Sequence, residues 1–309
     1  MRQGAMGFAL RDPLPWSGFS AIVRAAETAG YHALFLPEIA GRDALVSLGA
    51  LVGETRDLLL GTGVLPMRSR TPMLTAMGAA TVHERSGGRL LLGLGTGAVR
   101  RGALEELREL VGTLRSLFRG ETAERDGRPM RLALAPSGEV PIWISALGPK
   151  AMRLAGEVAD GVLLNWCPPE GVAFAGERIA EGAEAVGRDP EEVDVAVYVR
   201  SWVGEDDEAA MTVLSASAGD YASYPAYARQ FEQLGLGAEA VAAAEAHHAG
   251  RPEDVPEEFV RALSAFGERA QGRISEFRDA GADLPVVYPV PVGEPATSIE
   301  ATLLALAPV

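Results

Sequence analysis

One segment of the sequence combines residue types that bind phosphate at the start of a helix. Ala146, Gly148, Pro149 and Lys150 connect a predicted strand to a predicted helix. A proline in the first turn, with a glycine before it, leaves backbone N–H groups free at the positive end of the helix dipole. Lys150 is the only lysine among the 28 lysine and arginine residues, and a cation there becomes favourable once an anion binds. The segment therefore predicts an anion site, with a chance position of the lysine as the alternative.

Two glycine-containing segments end neighbouring predicted strands. Gly61-Thr-Gly-Val permits a backbone bulge and the close approach of a flat ligand. Gly93-Leu-Gly-Thr-Gly ends the next strand, but its spacing differs from the G-x-G-x-x-G of dinucleotide sites. An ordinary strand-end turn is the alternative interpretation of the first segment. The second segment remains a candidate for a strand end of small residues beside a ligand.

Several arginines fall in the loops after the second to fourth predicted strands. These are Arg42, Arg68, Arg70, Arg100 and Arg101. On a chain of net charge −14, such a group predicts an anionic ligand at this rim. The alternative is that each arginine forms an ion pair with a nearby acidic residue.

Strands and helices alternate along the chain, which indicates parallel strands joined by right-handed crossovers. The strands are predicted at 6–11, 33–37, 58–64, 89–95, 141–146, 161–165, 194–200 and 284–288. The helices are predicted at 16–29, 43–54, 72–84, 102–118, 149–158, 169–186 and 257–280. Eight such units favour an α/β fold of the (β/α)8 TIM barrel type over an open doubly wound sheet, which is the alternative. We predict one domain over 1–309, with a helical insertion at approximately 201–283 between strands 7 and 8.

Composition excludes several classes of protein. With 48% apolar and 23% charged residues, the 309-residue chain has the composition of a globular protein. The acidic balance argues against a nucleic-acid or anionic-membrane partner, and no apolar run reaches the length of a membrane span. The single cysteine, Cys167, excludes an internal disulfide and fits a cytoplasmic protein without a signal peptide. The four histidines are not spaced as a metal site, so no metal is expected.

At these positions the sequence resembles the luciferase-like flavin and deazaflavin oxidoreductases. The similar segments are AAETAGYHALFLPEIAGRDA (25–44), LLLGTGVLPMRSRTP (58–72), ATVHERSGGRLLLGLGTG (80–97) and VPIWISALGPKAMRLAGEVADGVLLN (140–165). The last segment is most similar to the branch that uses coenzyme F420, which includes proteins like methylenetetrahydromethanopterin reductase.

The resemblance implies a flat cofactor across the carboxyl end of the barrel. It implies a strand-three bulge with a non-prolyl cis peptide at Gly63–Val64, and a cofactor phosphate at Gly148, Pro149 and Lys150. Thr62 at the bulge, and Gly95, Thr96 and Gly97 after the fourth strand, would line the same pocket together with Asn165. Where many deazaflavin proteins have an Asp-His pair, this chain has Glu38, which becomes the candidate proton donor or substrate contact, with Arg42 as its expected ion-pair partner.

The resulting hypothesis is an oxidoreductase that transfers a hydride between F420 and a small organic substrate. An FMN-dependent monooxygenase of the same fold is the first alternative. The segment between Gly97 and Arg100 is shorter than in the proteins it resembles, so a non-catalytic flavin-binding or deazaflavin-binding barrel is the second. The resemblance also implies a homodimer.

Overall fold

Eight parallel strands form the centre of the fold. The computed structural model describes residues 4–97, 100–125 and 127–308. The strands are β1 (Gly7–Ala9), β2 (Ala33–Leu36), β3 (Leu59–Thr62), β4 (Leu90–Gly95), β5 (Ile142–Ser145), β6 (Gly161–Asn165), β7 (Asp194–Trp202) and β8 (Leu284–Pro289). Each pairs with the next, and β8 pairs with β1, so the sheet closes on itself. The predicted (β/α)8 barrel is confirmed.

Helices cover the outside of the barrel and extend one connection. They are α1 (Trp16–Thr28), α2 (Ala44–Leu51), α3 (Pro72–Arg85), α4 (Ala103–Phe118), α5 (Pro149–Val158), α6 (Pro169–Ala185), α7 (Asp207–Ala222), α8 (Pro225–Gln233), α9 (Gly237–His248), α10 (Glu257–Leu263), α11 (Ala270–Asp279) and α12 (Pro295–Ala305). Their starts follow the expected chemistry. Asp43 caps α2 through the N–H of Val46, and Thr71 caps α3 ahead of Pro72.

The predicted helical insertion lies between β7 and β8 and contains α7 to α11. One predicted helix there is wrong. The segment 257–280 contains α10 and α11, separated by a short strand, Ser264–Phe266, that pairs with the end of β7. Hydrogen bonds to a neighbouring strand therefore override the helical pattern of this segment. The hairpin of Ala123–Arg125 with Arg128–Met130 and the final helix, α12, were not predicted.

Large aromatic side chains fill the interior of the barrel. Phe35, Trp143 and Tyr198 are buried there. The ring centroid of Phe35 lies 5.9 Å from that of Trp143 and 6.0 Å from that of Tyr198. Glycines on adjacent strands make room for them. A Cβ on Gly61 would lie 2.5 Å from the ring of Phe35. The barrel axis is therefore a packed core, and ligands have access only to its ends.

A second apolar cluster joins the insertion to the barrel. Trp166, which follows β6, and Trp202, at the end of β7, pack with buried residues of the insertion such as Phe231 and Phe259. Phe231 and Phe259 meet edge to face with centroids 4.9 Å apart. The insertion thus packs on the carboxyl end of β6 and β7, where the predicted site lies.

Candidate functional site

The third strand is interrupted where the sequence predicts a bulge. After β3 the peptide bond Gly63–Val64 is cis, as expected, and Leu65–Pro66 then pairs with the end of β4. The hydroxyl of Tyr198 donates a 3.2 Å hydrogen bond to the carbonyl of Gly63. Burial raises the pKa of Tyr198 well above its ordinary value, so the hydroxyl keeps its proton at neutral pH. Tyr198 therefore fixes the bulge from below.

Thr62 and Gly95 have different surroundings at this edge. The hydroxyl of Thr62 donates to the carbonyl of Gly93 and accepts from its N–H, both at 2.8 Å, so this side chain joins two strands rather than lining a pocket. A Cβ on Gly95 would lie 2.6 Å from Cγ2 of Val64 and 2.9 Å from Oγ of Ser145. Gly95 and Val64 are therefore in contact, as one pocket wall requires. Thr96 is half-buried and Gly97 is exposed.

The predicted anion site lies at the start of α5. Ala146 is buried, Gly148 and Pro149 are half-buried, and Lys150 is exposed. No side chain caps the helix, and among the described residues the N–H of Lys150 has no partner. The start of α5 thus has the free amide and the nearby cation that an anion needs.

Glu38 lies beside the bulge, and Arg70 is its ion-pair partner. The N–H of Glu38 donates to the carbonyl of Val64 at 3.4 Å. Nε and one terminal nitrogen of Arg70 donate to the two carboxylate oxygens, each at 3.1 Å. Ser69 and the N–H of Ala44 donate to the same carboxylate. This pair raises the pKa of Arg70 above its ordinary value.

The expected pair between Glu38 and Arg42 is wrong. Arg42 binds Asp12 at 3.0 Å and the carbonyl of Leu14, and its guanidinium lies 4.4 Å from the ring centroid of Phe19. The side chain therefore points away from Glu38, toward the loop after β1. Proximity in sequence suggested the pair, but Arg70 approaches from the neighbouring strand connection with a better bidentate geometry.

Two of the three other arginines of the rim are also paired with a carboxylate. Arg68 and Arg100 both form ion pairs with Glu106 of α4. The alternative interpretation, in which the rim arginines are neutralised locally, is therefore confirmed for Arg42, Arg68, Arg70 and Arg100. These four arginines therefore do not give the rim a net positive charge that would attract an anionic ligand.

Asn165 belongs to a polar network at the ends of β6 and β7. Its Oδ1 accepts a 2.8 Å hydrogen bond from Arg200, and its Nδ2 donates at 2.7 Å to the hydroxyl of Tyr227. Nε2 of Gln230 donates to the carbonyls of Asn165 and Trp166 at 3.0 and 2.6 Å. Trp166 itself has φ of 50°, which is uncommon for a large side chain. The network thus holds an unusual backbone turn beside Arg200.

Arg200 is surrounded by aromatic rings. Its guanidinium lies 4.0 Å from the ring centroid of Tyr288, 4.6 Å from that of Trp166 and 5.5 Å from that of Tyr221. It is 4% exposed. Residues 198 and 200 are on the same face of β7, so Arg200 lies one layer above Tyr198 toward the carboxyl end of the barrel.

Helix α8 connects this network with the start of α5. Tyr227 and Gln230 of α8 contact Asn165. One turn further along, Gln233 lies 4.0 Å from where a Cβ of Gly148 would be. Tyr227 and Gln233 are about 9 Å apart along the helix axis. The two parts of the candidate site are therefore held by one helix of the insertion.

Sequence reasoning missed Tyr198, Arg200, Trp166 and the tyrosines around them. A usable signal existed, because an arginine within an apolar strand, two residues after a tyrosine, indicates a polar group facing the barrel mouth. The tyrosines of α7 and α8 gave no such signal, since only the tertiary fold brings them to β7.

Among the described residues, none form a cluster of three or more potential metal ligands. None of the helices in the same part of the chain has both the length and the apolar composition of a membrane span.

Comparisons with known proteins agree with this geometry. The family described as luciferase-like monooxygenase matches residues 3–284. The 5,10-methylenetetrahydromethanopterin reductase of Methanolobus tindarius is 35% identical over 195 residues, which cover 59% of this chain and 60% of that protein. The chain thus aligns with less than two thirds of the length of this relative.

Solved structures agree over the whole chain. The coenzyme F420 dependent tetrahydromethanopterin reductase of Methanopyrus kandleri matches with a TM-score of 0.83 at 23% identity, covering 100% of this chain and 99% of that one. An F420-dependent secondary alcohol dehydrogenase, solved with an F420–acetone adduct, matches with a TM-score of 0.74 at 19% identity, covering 99% of both chains. At these identities the structures establish the shared fold.

Proposed function

The chain belongs to the luciferase-like monooxygenase family, and we propose that it is an F420-dependent oxidoreductase acting on a small organic substrate. The observation that carries this proposal is the uncapped start of α5, with the only lysine of the chain beside it, at the carboxyl end of a barrel. Two of the similar solved structures have F420 in their names, which supports the deazaflavin over FMN. When bound, the deazaflavin supplies hydride chemistry, and the protein supplies binding and orientation.

The proposed cofactor site fits the residues that are present. The free N–H of Lys150 and the positive end of α5 would bind a phosphate, and Nζ of Lys150 would neutralise it. Ala146, Gly148 and Pro149 leave room for the phosphate because none has a long side chain. Gly95, Thr96, Gly97 and Asn165 would border the cofactor further along the rim.

The bulge would form the surface on which a planar ring rests. Gly63 and Val64 present backbone and one small side chain, and the hydroxyl of Tyr198 prevents the bulge from moving inward. We assign Thr62 an indirect part, since its hydroxyl joins β3 to β4. The packed core beneath excludes water from this face of the ring.

Glu38 would act as a positioning residue or substrate contact at the same rim. Its carboxylate accepts hydrogen bonds from Arg70, Ser69 and the N–H of Ala44, and these contacts hold it in one orientation beside the bulge. Arg42 would act one step further away by holding the loop after β1 through Asp12.

Cofactor titration tests the proposal. Purified protein should bind F420 saturably and more tightly than FMN, as followed by fluorescence of the cofactor. Lys150→Ala should weaken F420 by about tenfold, as expected for loss of one charge-assisted contact, and leave a phosphate-free deazaflavin riboside unchanged. Arg153→Ala is the matched control, because Arg153 lies on the same helix and pairs with Glu181. Saturable binding of neither cofactor would refute the proposal.

We also propose a homodimer that uses the outer faces of α2 and α3. Val46, Leu74 and Met77 are exposed there, with 70%, 46% and 47% of their surfaces accessible. Such adjacent apolar side chains are typical of interfaces. Val46→Glu with Met77→Glu should convert a dimer to a monomer in sedimentation, whereas Val241→Glu, on an exposed site of α9, should not. A wild-type monomer would refute the proposal.

Two further parts of the proposal concern the domain organisation and the cellular location. We propose a single domain, because Trp166 and Trp202 of the barrel share one apolar cluster with the helices of the insertion. We propose a cytoplasmic location, because the only cysteine, Cys167, is a buried thiol whose pKa burial raises to about 12. Such a thiol needs no oxidising environment.

A further inference from the structure

We propose that Arg200 binds a carboxylate group of the substrate at the mouth of the barrel. The proposal rests on the proposed function only in naming this ligand a substrate. The binding site itself follows from the charge, burial and hydrogen bonds of Arg200 and its neighbours.

Arg200 is a buried cation without an acidic partner. Within the described part of the chain, no aspartate or glutamate forms an ion pair with it, in contrast to Arg42, Arg68, Arg70 and Arg100 on the same rim. Burial of a guanidinium is unfavourable unless its charge is compensated. The rings of Tyr288 and Trp166 compensate part of it through their faces, and no negative charge completes the site.

The hydrogen bonds of the guanidinium leave one edge available. Its NH1 donates to Oδ1 of Asn165, while Nε and NH2 have no hydrogen-bond partner among the described residues. The rings of Tyr288, Trp166 and Tyr221 surround the guanidinium but cannot accept strong hydrogen bonds from that edge. Two parallel N–H groups on one edge match the two oxygens of a carboxylate. Tyr227 holds Asn165 from the other side, so the guanidinium is fixed before a ligand arrives.

A second donor beside Arg200 has no partner. Nε1 of Trp166 is buried and finds no hydrogen-bond acceptor in the parts of the chain that the structure describes, and the whole side chain is 1% exposed. A buried indole N–H normally finds an acceptor. The guanidinium of Arg200 and the indole of Trp166 are in contact, and both have N–H groups that lack an acceptor. The ligand that fits between them is therefore an anion that accepts hydrogen bonds.

The position favours a substrate group over the cofactor phosphate. We place the cofactor phosphate at the start of α5, near Gln233 of α8. Tyr227, which holds Asn165 beside Arg200, lies about 9 Å from Gln233 along the axis of α8. Arg200 also lies directly above Tyr198, which supports the bulge on which we place the ring. A group bound to Arg200 would therefore lie at the ring end of the site.

Calorimetric titration of the purified protein with benzoate tests this site without any cofactor. Benzamide, which has the same shape without the charge, and inorganic phosphate are titrated beside it. Benzoate should bind saturably, and benzamide and phosphate at least tenfold more weakly. Arg200→Gln should weaken benzoate at least tenfold. Arg200→Lys, which keeps the charge but not the two-pronged edge, should fall between. Arg261→Gln is the matched control, since Arg261 stacks on Phe266 but pairs with Glu257.

Each outcome decides the proposal. Equal binding of benzoate to the wild type and Arg200→Gln would overturn it, and so would tighter binding of phosphate that depends on Arg200. A tenfold loss of F420 affinity in Arg200→Gln would assign the residue to the cofactor and also overturn it. If Arg200→Gln does not fold, Arg200→Lys provides the same comparison. Failure of the wild type to bind F420 would refute the proposed function alone.

Discussion

Replacing Gly63 by alanine should destabilise the protein through one identifiable contact. A Cβ at this position would overlap the hydroxyl of Tyr198 and lie 2.9 Å from Cβ of Phe35. Excess volume in a packed core typically costs about 1–3 kcal/mol. We expect Gly63→Ala to lower the free energy of unfolding by about 3 kcal/mol, at the upper end of that range, because two side chains have to move.

Removing the hydroxyl should rescue much of this loss. In Tyr198→Phe, the nearest ring atom to the new Cβ would be Cζ, at 3.1 Å, a separation that small shifts can relieve. Tyr198→Phe alone should cost about 0.5–1.5 kcal/mol, because the hydrogen bond to the carbonyl of Gly63 is lost. The double variant should be more stable than the sum of the two losses predicts, by about 1–2 kcal/mol.

Urea unfolding of the four proteins, followed by tryptophan fluorescence, measures this coupling. Gly78→Ala in α3, which meets Cδ1 of Leu45 outside the barrel instead, is the control and should show no coupling to Tyr198→Phe. Additive losses for Gly63→Ala and Tyr198→Phe would refute the contact between the bulge and the barrel core. They would also remove the reason for assigning Tyr198 to the support of the ring.

Three further predictions concern stability. Gly93→Ala would place a Cβ against the carbonyl of Thr62 and should cost more than about 3 kcal/mol in the free energy of unfolding, measured in urea. Arg89→Met should lower the free energy of unfolding by at least about 3 kcal/mol, which is measured as a lower melting temperature. The reason is that Arg89 donates to four backbone carbonyls and a hydroxyl at the amino end of the barrel. Burial lowers the pKa of His83 below 6.5, so the unfolded chain takes up a proton that the folded protein does not. Stability should therefore fall as the pH decreases from 6.5, and His83→Gln should reduce that fall.

Each of the three has a control that isolates its cause. Gly112→Ala, on an open face of α4, should stabilise the protein by about 0.5–1 kcal/mol, and a loss there would contradict the steric argument. Arg119→Met removes an exposed arginine that pairs with Glu121 and should change the melting temperature little. An identical pH dependence in the wild type and His83→Gln would show that other groups dominate.

The sequence predicted most of the barrel because its strands and helices have local signals. Strand β6 and helix α5 have the predicted bounds, since glycine or proline marks their starts and the apolar residues of β6 form one run. The bulge after β3 was placed by resemblance, and its cis peptide lies at the expected bond. These features depend on residues close together in the chain.

The rest depended on contacts between distant segments. Ser264–Phe266 becomes a strand because β7 offers hydrogen bonds to it, and the local pattern is helical. Arg70 rather than Arg42 reaches Glu38 because the loop after β3 lies against the loop after β2. The setting of Arg200 requires β6, β7, β8 and two helices of the insertion at once, so no window of sequence could show it.

The aromatic filling of the barrel axis determines how two ligands could exchange. Phe35, Trp143 and Tyr198 block passage through the centre, so cofactor and substrate would arrive and depart on the same side. A ring lying on the bulge would then be covered by any molecule held above it at Arg200. If the proposed function holds, this arrangement would impose a sequence on turnover, in which the ring binds first and the product dissociates before the ring is released.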